Sequence, residues 1–435
     1  MNDFQSGIAL KLHRIVEFLT SQGIAMAGNL IYGFLCVRLL PIPGYAKYAV
    51  VFGFLGTLML LMDSGTSNAL LPLVGEQIDN CQLIADYVAS LRQLAQWLYL
   101  LLVPAAIFLF PLMVRKQQWD SQVIAAMVVS ILIASWFTRV SGAYGAVLII
   151  RRDRRFWCRI QMISSLSSLA LLAVVYVAHW LTAFTAIGIN LAGTTFVATA
   201  YFARARHLLG VRGRPSRRGR GELIHLAMPN VPSVVFYALQ GQISLLLITF
   251  FGRTTAVASV GALNRLGQIY ILCGQMNMLL IEPYFARLPS SKVKRSYLAA
   301  TMLAGLLCVS ITALAHYFPE IFLWILGPKY SHLRFEVFLA IATSSIGYLS
   351  AVLWTMNSAR RFVYWWNSAA VIILSLAVQT VFIWRVNLST VRSVLLLGLA
   401  TVTVNLIVYA FTGLYGFVRG PRVKRIPVPA QQEVG

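Results

Sequence analysis

Acidic charge is what this chain has least of. Of 435 residues only 13 are Asp or Glu, all charged residues together make up 11%, and 59% are hydrophobic. A soluble chain of this length with so little polar surface could not hide its apolar side chains in one core, so lipid must be part of its solvent. Chemistry-bearing residues are also sparse. The six histidines (His13, His179, His207, His225, His316, His332) fall near helix ends or in loops. The five cysteines (Cys36, Cys81, Cys158, Cys273, Cys308) show no paired spacing, which argues against a disulfide framework or a zinc site. No glycine loop ends in Lys-Ser or Lys-Thr, no histidines pair on a helix, and neither Gly-x-Ser-x-Gly nor a dinucleotide fingerprint occurs. ATP-driven work, a metal and an organic cofactor are not expected.

Present instead are apolar runs long enough to cross about 30 Å of hydrocarbon as helices of roughly 20 residues. They read as spans at 15–40, 45–73, 94–113, 121–149, 160–181 and 183–203, then 226–251, 256–281, 298–317, 335–357, 363–384 and 391–418. The expected fold is an all-α polytopic membrane protein of about twelve transmembrane helices. Its expected division is an N-terminal six-helix lobe (1–203), a basic cytoplasmic linker (204–225), a C-terminal six-helix lobe (226–418) and a cytoplasmic tail (419–435). The first span, with no cleavage site before it, is expected to serve as its own anchor. Residues 75–94 alternate apolar and polar at helical spacing (Ile78, Leu83, Ile84, Val88, Leu91) and predict an amphipathic surface helix.

A net charge of +23 would suggest nucleic acid in a soluble protein. Most of the basic residues gather in loops on one side of the spans: Lys11 and Arg14, Arg151 to Arg159, Arg204 to Arg220, Arg287 to Arg295, and Arg419 to Arg425. That bias marks a cytoplasmic face, puts both termini there, and replaces nucleic-acid binding with a place in a bacterial inner membrane.

A charge at depth is costly and must face inward. At 1.5 Å per residue, Arg139 stands about 18 Å from the interface at Arg151, Arg265 about 18 Å from Arg253, and Asp63 about 16 Å from Val74. Asp63 and Arg139 fit either a buried ion pair or a functional pair, with Asp63 the candidate for coupling to an ion and Arg139, together with Arg265, a cavity candidate for binding an anionic substrate. Arg265 has no carboxylate at its depth and predicts an aqueous, anion-attracting cavity. Arg38 is placed either to guard the outer mouth or to snorkel to headgroups. Gln242 is a further cavity candidate on a helix whose start, Pro229 and Pro232, offers a hinge.

The stretches Arg38-Leu39-Leu40-Pro41 with Gly44-Tyr45 and Tyr48, Asp63-Ser64-Gly65, Gly241-Gln242-Ile243, Val260 to Leu266 and Leu326 to Tyr330 resemble the polysaccharide-exporter, or O-antigen flippase, family. That family sits in the superfamily that also holds multidrug MATE exporters and lipid II flippases. The resemblance implies two six-helix lobes around a cavity of alternating access. The implied cargo is an undecaprenyl-diphosphate-linked oligosaccharide, moved for surface glycan synthesis (O-antigen, lipopolysaccharide or exopolysaccharide). Implied partners are that substrate, membrane lipids, and a polysaccharide polymerase with its chain-length regulator. Two alternatives stay open: a cation-coupled drug or small-metabolite exporter, for which Asp63 would matter most, and a membrane enzyme of glycan assembly. The second would need an external catalytic loop, and only 317–334 is sizeable.

Overall fold

The computed structural model describes residues 23–419 apart from 64–69, 71–72, 75–79, 152, 229–230, 278–280, 282–283, 286–287, 361 and 363. Among the described residues every regular element is helical. Nine helices are long and apolar enough to cross a membrane, starting with α2 (Ile42–Met62 within Ile42–Asp63). The others are α3 (Cys81–Val114), α4 (Ser121–Ile150), α5 (Arg154–Val177), α6 (Ala183–Leu209), α11 (Ser290–Tyr317), α13 (Arg334–Ala359), α14 (Trp365–Arg385) and α15 (Val391–Arg419). The shorter apolar helix α1 (Gly23–Leu39), α8 (Val231–Phe251) and the pair α9 (Thr254–Leu266) with α10 (Ile269–Met276) fall at the three other spans read from the sequence, 15–40, 226–251 and 256–281. Two elements are not crossings: α7 (Arg217–Ala227) and α12 (Pro319–Leu326). The protein is therefore an all-α, twelve-helix membrane protein.

Two expected elements differ in detail. The surface helix and the third span are one helix: α3 begins at Cys81, capped by the Asn80 side chain accepting from the Leu83 amide, and runs 34 residues. The alternating apolar residues of its first turns are buried not by lipid headgroups but by protein. Ile84, Val88 and Leu91 pack with Tyr144, Val147 and Leu148 of α4, Val197 and Tyr201 of α6, and Leu223 of α7. The expected single span 256–281 is broken, because α9 stops at Leu266 and the chain turns through Gly267 and Gln268 before α10 resumes.

The residues group into two compact units. The first holds residues up to Gln268 together with 320–337 and 387–395. Within it the basic linker is pinned to α3. The Asp86 carboxylate accepts from the Arg214 amide (2.7 Å), the Ser90 hydroxyl accepts from the Ser216 amide (3.1 Å), and Arg220 donates to Gln93 (2.5 Å) while lying over the Trp97 ring. Glu222 accepts from the Tyr87 hydroxyl and from Arg218, and those donors, Tyr87 foremost, hold its carboxyl below the usual range. Gly213 is required here, since any side chain would collide with the α3 backbone at Ala85. The Asp153 carboxylate pairs with Arg204 at 2.7 Å, tying the α4–α5 turn to the end of α6.

The second unit holds 269–319, 338–386 and 396–435. Its helices are joined by buried polar groups, which in lipid supply cohesion that apolar side chains cannot. The Ser345 hydroxyl meets the hydroxyls of Tyr270 (2.6 Å) and Thr312 (2.9 Å). Asn357, fully buried, donates to the Tyr409 carbonyl (2.9 Å) and accepts from Tyr297 (3.0 Å).

Candidate functional site

The break between α9 and α10 sets the first of two cationic sites, both in the first unit. Arg265 lies in the last turn of α9, where the final carbonyls of a helix favour positive charge. The Gln268 amide bonds back to the Arg265 carbonyl (3.1 Å), and the Arg265 Nη1 donates to the Gln268 Oε1 (3.2 Å), so the turn and the side chain hold each other. Across from it are α1 and α2. The guanidinium lies 5.6 Å from the Tyr48 ring centroid, and its electrostatic neighbours are Tyr48, Tyr45 and Cys36, all neutral and all buried. Gly33 of α1 makes room: a Cβ there would stand 2.9 Å from Nη1 and 3.3 Å from Cζ. Close packing on the same wall continues at Gly261, where a Cβ would stand 2.6 Å from that of Ala49. Among the described residues no carboxylate pairs with Arg265.

Arg139 has different neighbours. It is 8% exposed, its Cζ lies 3.9 Å from the Trp136 ring centroid and 5.9 Å from that of Tyr99, and its Nε and Nη1 have no hydrogen-bond partner among the described residues. It lines a cavity of about 350 Å³ between α3, α4 and α6, with Arg92, Gln96, Trp136, Tyr144 and Thr199. Arg92 is held there by donating to the Tyr144 hydroxyl (3.2 Å). The Asp63 side chain lies outside the described residues, so the expected Asp63–Arg139 pair does too.

The remaining candidates are spread out. Arg38 is exposed at the end of α1, 5.2 Å from the Trp324 ring centroid and against Gly327, whose φ of 99° only glycine adopts readily. Beside it the Lys329 ammonium donates to the Leu40 carbonyl, and burial holds its pKa below the usual lysine range. The side chain of Gln242 and all of Pro229 lie outside the described residues. Pro232 stands in the first turn of α8, where proline displaces no helical hydrogen bond. Pro104 and Pro111, which sequence reading passed over, lie inside α3. Also missed was Gln117, buried in the turn after α3. Its Nε2 donates to the carbonyls of Thr249 (2.9 Å) and Gly252 (3.1 Å), and its Oε1 accepts from Thr254 (2.8 Å). A lone Gln in a polar turn carries no sequence signal for such a role.

Comparison with known proteins places the fold. No protein-family model matches the chain, and no curated protein does. Solved structures do. The chain is similar to a multidrug resistance MATE family transporter of the MOP superfamily in an inward-facing conformation, with TM-score 0.65, 14% identity, and 91% of this chain and 94% of that one covered. It is also similar to the lipid II flippase MurJ in an inward closed conformation, with TM-score 0.56, 12% identity, and 93% and 89% covered. A third likeness is to a MOP superfamily transporter from Pyrococcus furiosus, whose binding pocket is described as reversed in polarity: TM-score 0.53, 14% identity, 93% and 94% covered. The fold is thus that of the MATE-like membrane transporters and flippases.

Proposed function

We propose that this protein is a flippase that moves an undecaprenyl-diphosphate-linked oligosaccharide, or a related lipid-linked glycan, across a bacterial inner membrane by alternating access. In this reading residues 1–203 and 226–418 act as two lobes joined by the linker 204–225, both termini are cytoplasmic, and the glycan serves surface polysaccharide assembly. A polymerase and chain-length regulator are the implied companions. One observation carries the reading: Arg265, a permanent cation at a helix break within the membrane domain, has phenols, a thiol and an amide, and no carboxylate, as its neighbours among the described residues. An ionised guanidinium in such surroundings favours an anionic ligand, and its planar fork suits a phosphate oxygen pair. The MurJ likeness is in keeping with a lipid-diphosphate cargo, and a binding pocket of altered polarity has a counterpart in the Pyrococcus furiosus transporter.

The test is genetic and chemical. Deleting the gene should stop surface glycan and accumulate lipid-linked oligosaccharide, wild type should reverse both, and Arg265→Ala should insert normally yet reverse neither. The second reading, an ion-coupled exporter of drugs or small metabolites, is favoured by the MATE likeness. It would be supported if no lipid-linked glycan accumulates and Asp63→Asn abolishes efflux of a cationic dye.

A further inference from the structure

We propose that the cavity between α3, α4 and α6 is a lateral binding site for the phosphate group of an anionic membrane lipid, one whose headgroup carries no compensating cation. The proposal does not depend on the transport reading, because it concerns Arg139 and Arg92 rather than Arg265 and holds for a resident lipid as well as a transported one.

Three observations converge. Arg139 is more than nine-tenths buried, lines the cavity, and among the described residues two donors of its guanidinium, Nε and Nη1, have no partner. Leaving such donors unmatched is expensive, and a protein that needed Arg139 only for packing on Trp136 and Tyr99 would be expected to give them acceptors. A phosphate oxygen is a strong, charged acceptor for such a guanidinium donor. A second cation, Arg92, is fixed at the same cavity by Tyr144, Gln96 and Thr199 add neutral polar groups, and no carboxylate is among the lining residues.

The rim identifies where the ligand comes from. Beside the cavity α3 exposes Trp97, Leu100 and Leu101 (49%, 57% and 71% exposed), and α4 exposes Ile133 and Trp136 (40% and 39%). Aromatic and aliphatic side chains left bare on a membrane helix face acyl chains. The level is that of headgroups. Trp97 is the ring over which Arg220 of the charged helix α7 lies, so the polar boundary reaches Trp97, and Tyr99, which neighbours Arg139, is only two residues beyond. Counting along α4 alone puts Arg139 near the midplane. Its register against α3 puts it just under the boundary, where a lipid phosphate can descend with its tails still in the bilayer. Basic pockets between helices at such a boundary suit anionic headgroups.

The experiment uses the full chain, purified and exchanged into phosphatidylcholine. Native mass spectrometry then compares retention of phosphatidylglycerol, of phosphatidylcholine and of an isoprenyl diphosphate. Wild type should retain an anionic lipid over phosphatidylcholine by about tenfold, the effect of losing one charge-assisted pair. Arg139→Gln and Arg92→Gln should each reduce that preference, with elution profile and melting temperature in phosphatidylcholine unchanged. If Arg139→Gln does not fold, Thr199→Trp, which fills the cavity without touching the cations, should reduce it instead. Preference for phosphatidylglycerol assigns the site to a phospholipid, and preference for the diphosphate assigns it to an isoprenoid lipid. Equal retention of all three by wild type, or a preference that survives the substitutions, would overturn the proposal.

Discussion

The guanidinium of Arg265 lies against Gly33 of α1: a Cβ at position 33 would stand 2.9 Å from Nη1, so any side chain there requires the cation to shift. The two residues are far apart in sequence, yet the position of the charge depends on the absence of a side chain opposite it.

A graded series at position 33 follows. In Gly33→Ala the flexible end of Arg265 can shift by a few tenths of an ångström, so glycan export should fall less than about threefold. Gly33→Val brings branched bulk against Cζ and Cδ, and export should fall at least tenfold, the equivalent of about 1.4 kcal/mol. Membrane abundance should be unchanged in both. Export by Gly33→Val equal to wild type would mean that the placement of Arg265 does not matter.

Charge and fork geometry can be separated at Arg265 itself. Arg265→Lys keeps the positive charge but loses the planar pair of donors, so it should restore a minor part of the export that Arg265→Ala loses. Full restoration by lysine would reduce the residue to a point charge.

Gln117 joins the turn after α3 to the turn between α8 and α9 through three hydrogen bonds in a buried setting. Gln117→Leu strands the carbonyls of Thr249 and Gly252 and should cost about 1–3 kcal/mol. Gln117→Glu should be at least as harmful, because a carboxylate cannot donate to either carbonyl. Thermal melting of the purified chain reads both.

The docking of α7 on α3 should depend on acid. Glu222 has its carboxyl held down by Tyr87 and Arg218, so the contribution of those contacts is complete at neutral pH. It is lost as pH falls from the ordinary carboxylate range, about 4.3, through the lower folded value. Limited proteolysis of the segment 210–216 should therefore accelerate below about pH 4, and Tyr87→Phe should move that onset upward. Gly213→Ala, whose methyl would strike the α3 backbone at Ala85, should give the same protease sensitivity at neutral pH.

How much could be read in advance varies by element. Span 121–149 was legible within two residues of α4, because a long apolar run bounded by Asp120 and Arg151 has one solution in lipid. The break at Gly267 was not legible. Nothing in Leu263 to Tyr270 forbids a continuous helix, and the interruption depends on what packs around Arg265. At the site, the phenol neighbours of Arg265, Tyr45 and Tyr48, were not readable, because they come from another helix more than two hundred residues away.

Composition and the order of apolar and basic segments alone pointed to an all-α membrane protein of about twelve helices with arginines inside its apolar spans, because the hydrocarbon tolerates only long, internally bonded apolar helices. Tertiary structure decided which partners those arginines meet. It placed Arg265 against Gly33 and Tyr48, and Arg139 in a cavity with Arg92. Such contacts join residues tens to hundreds of positions apart, and they depend on how helices rotate and pack against one another, which hydropathy does not encode.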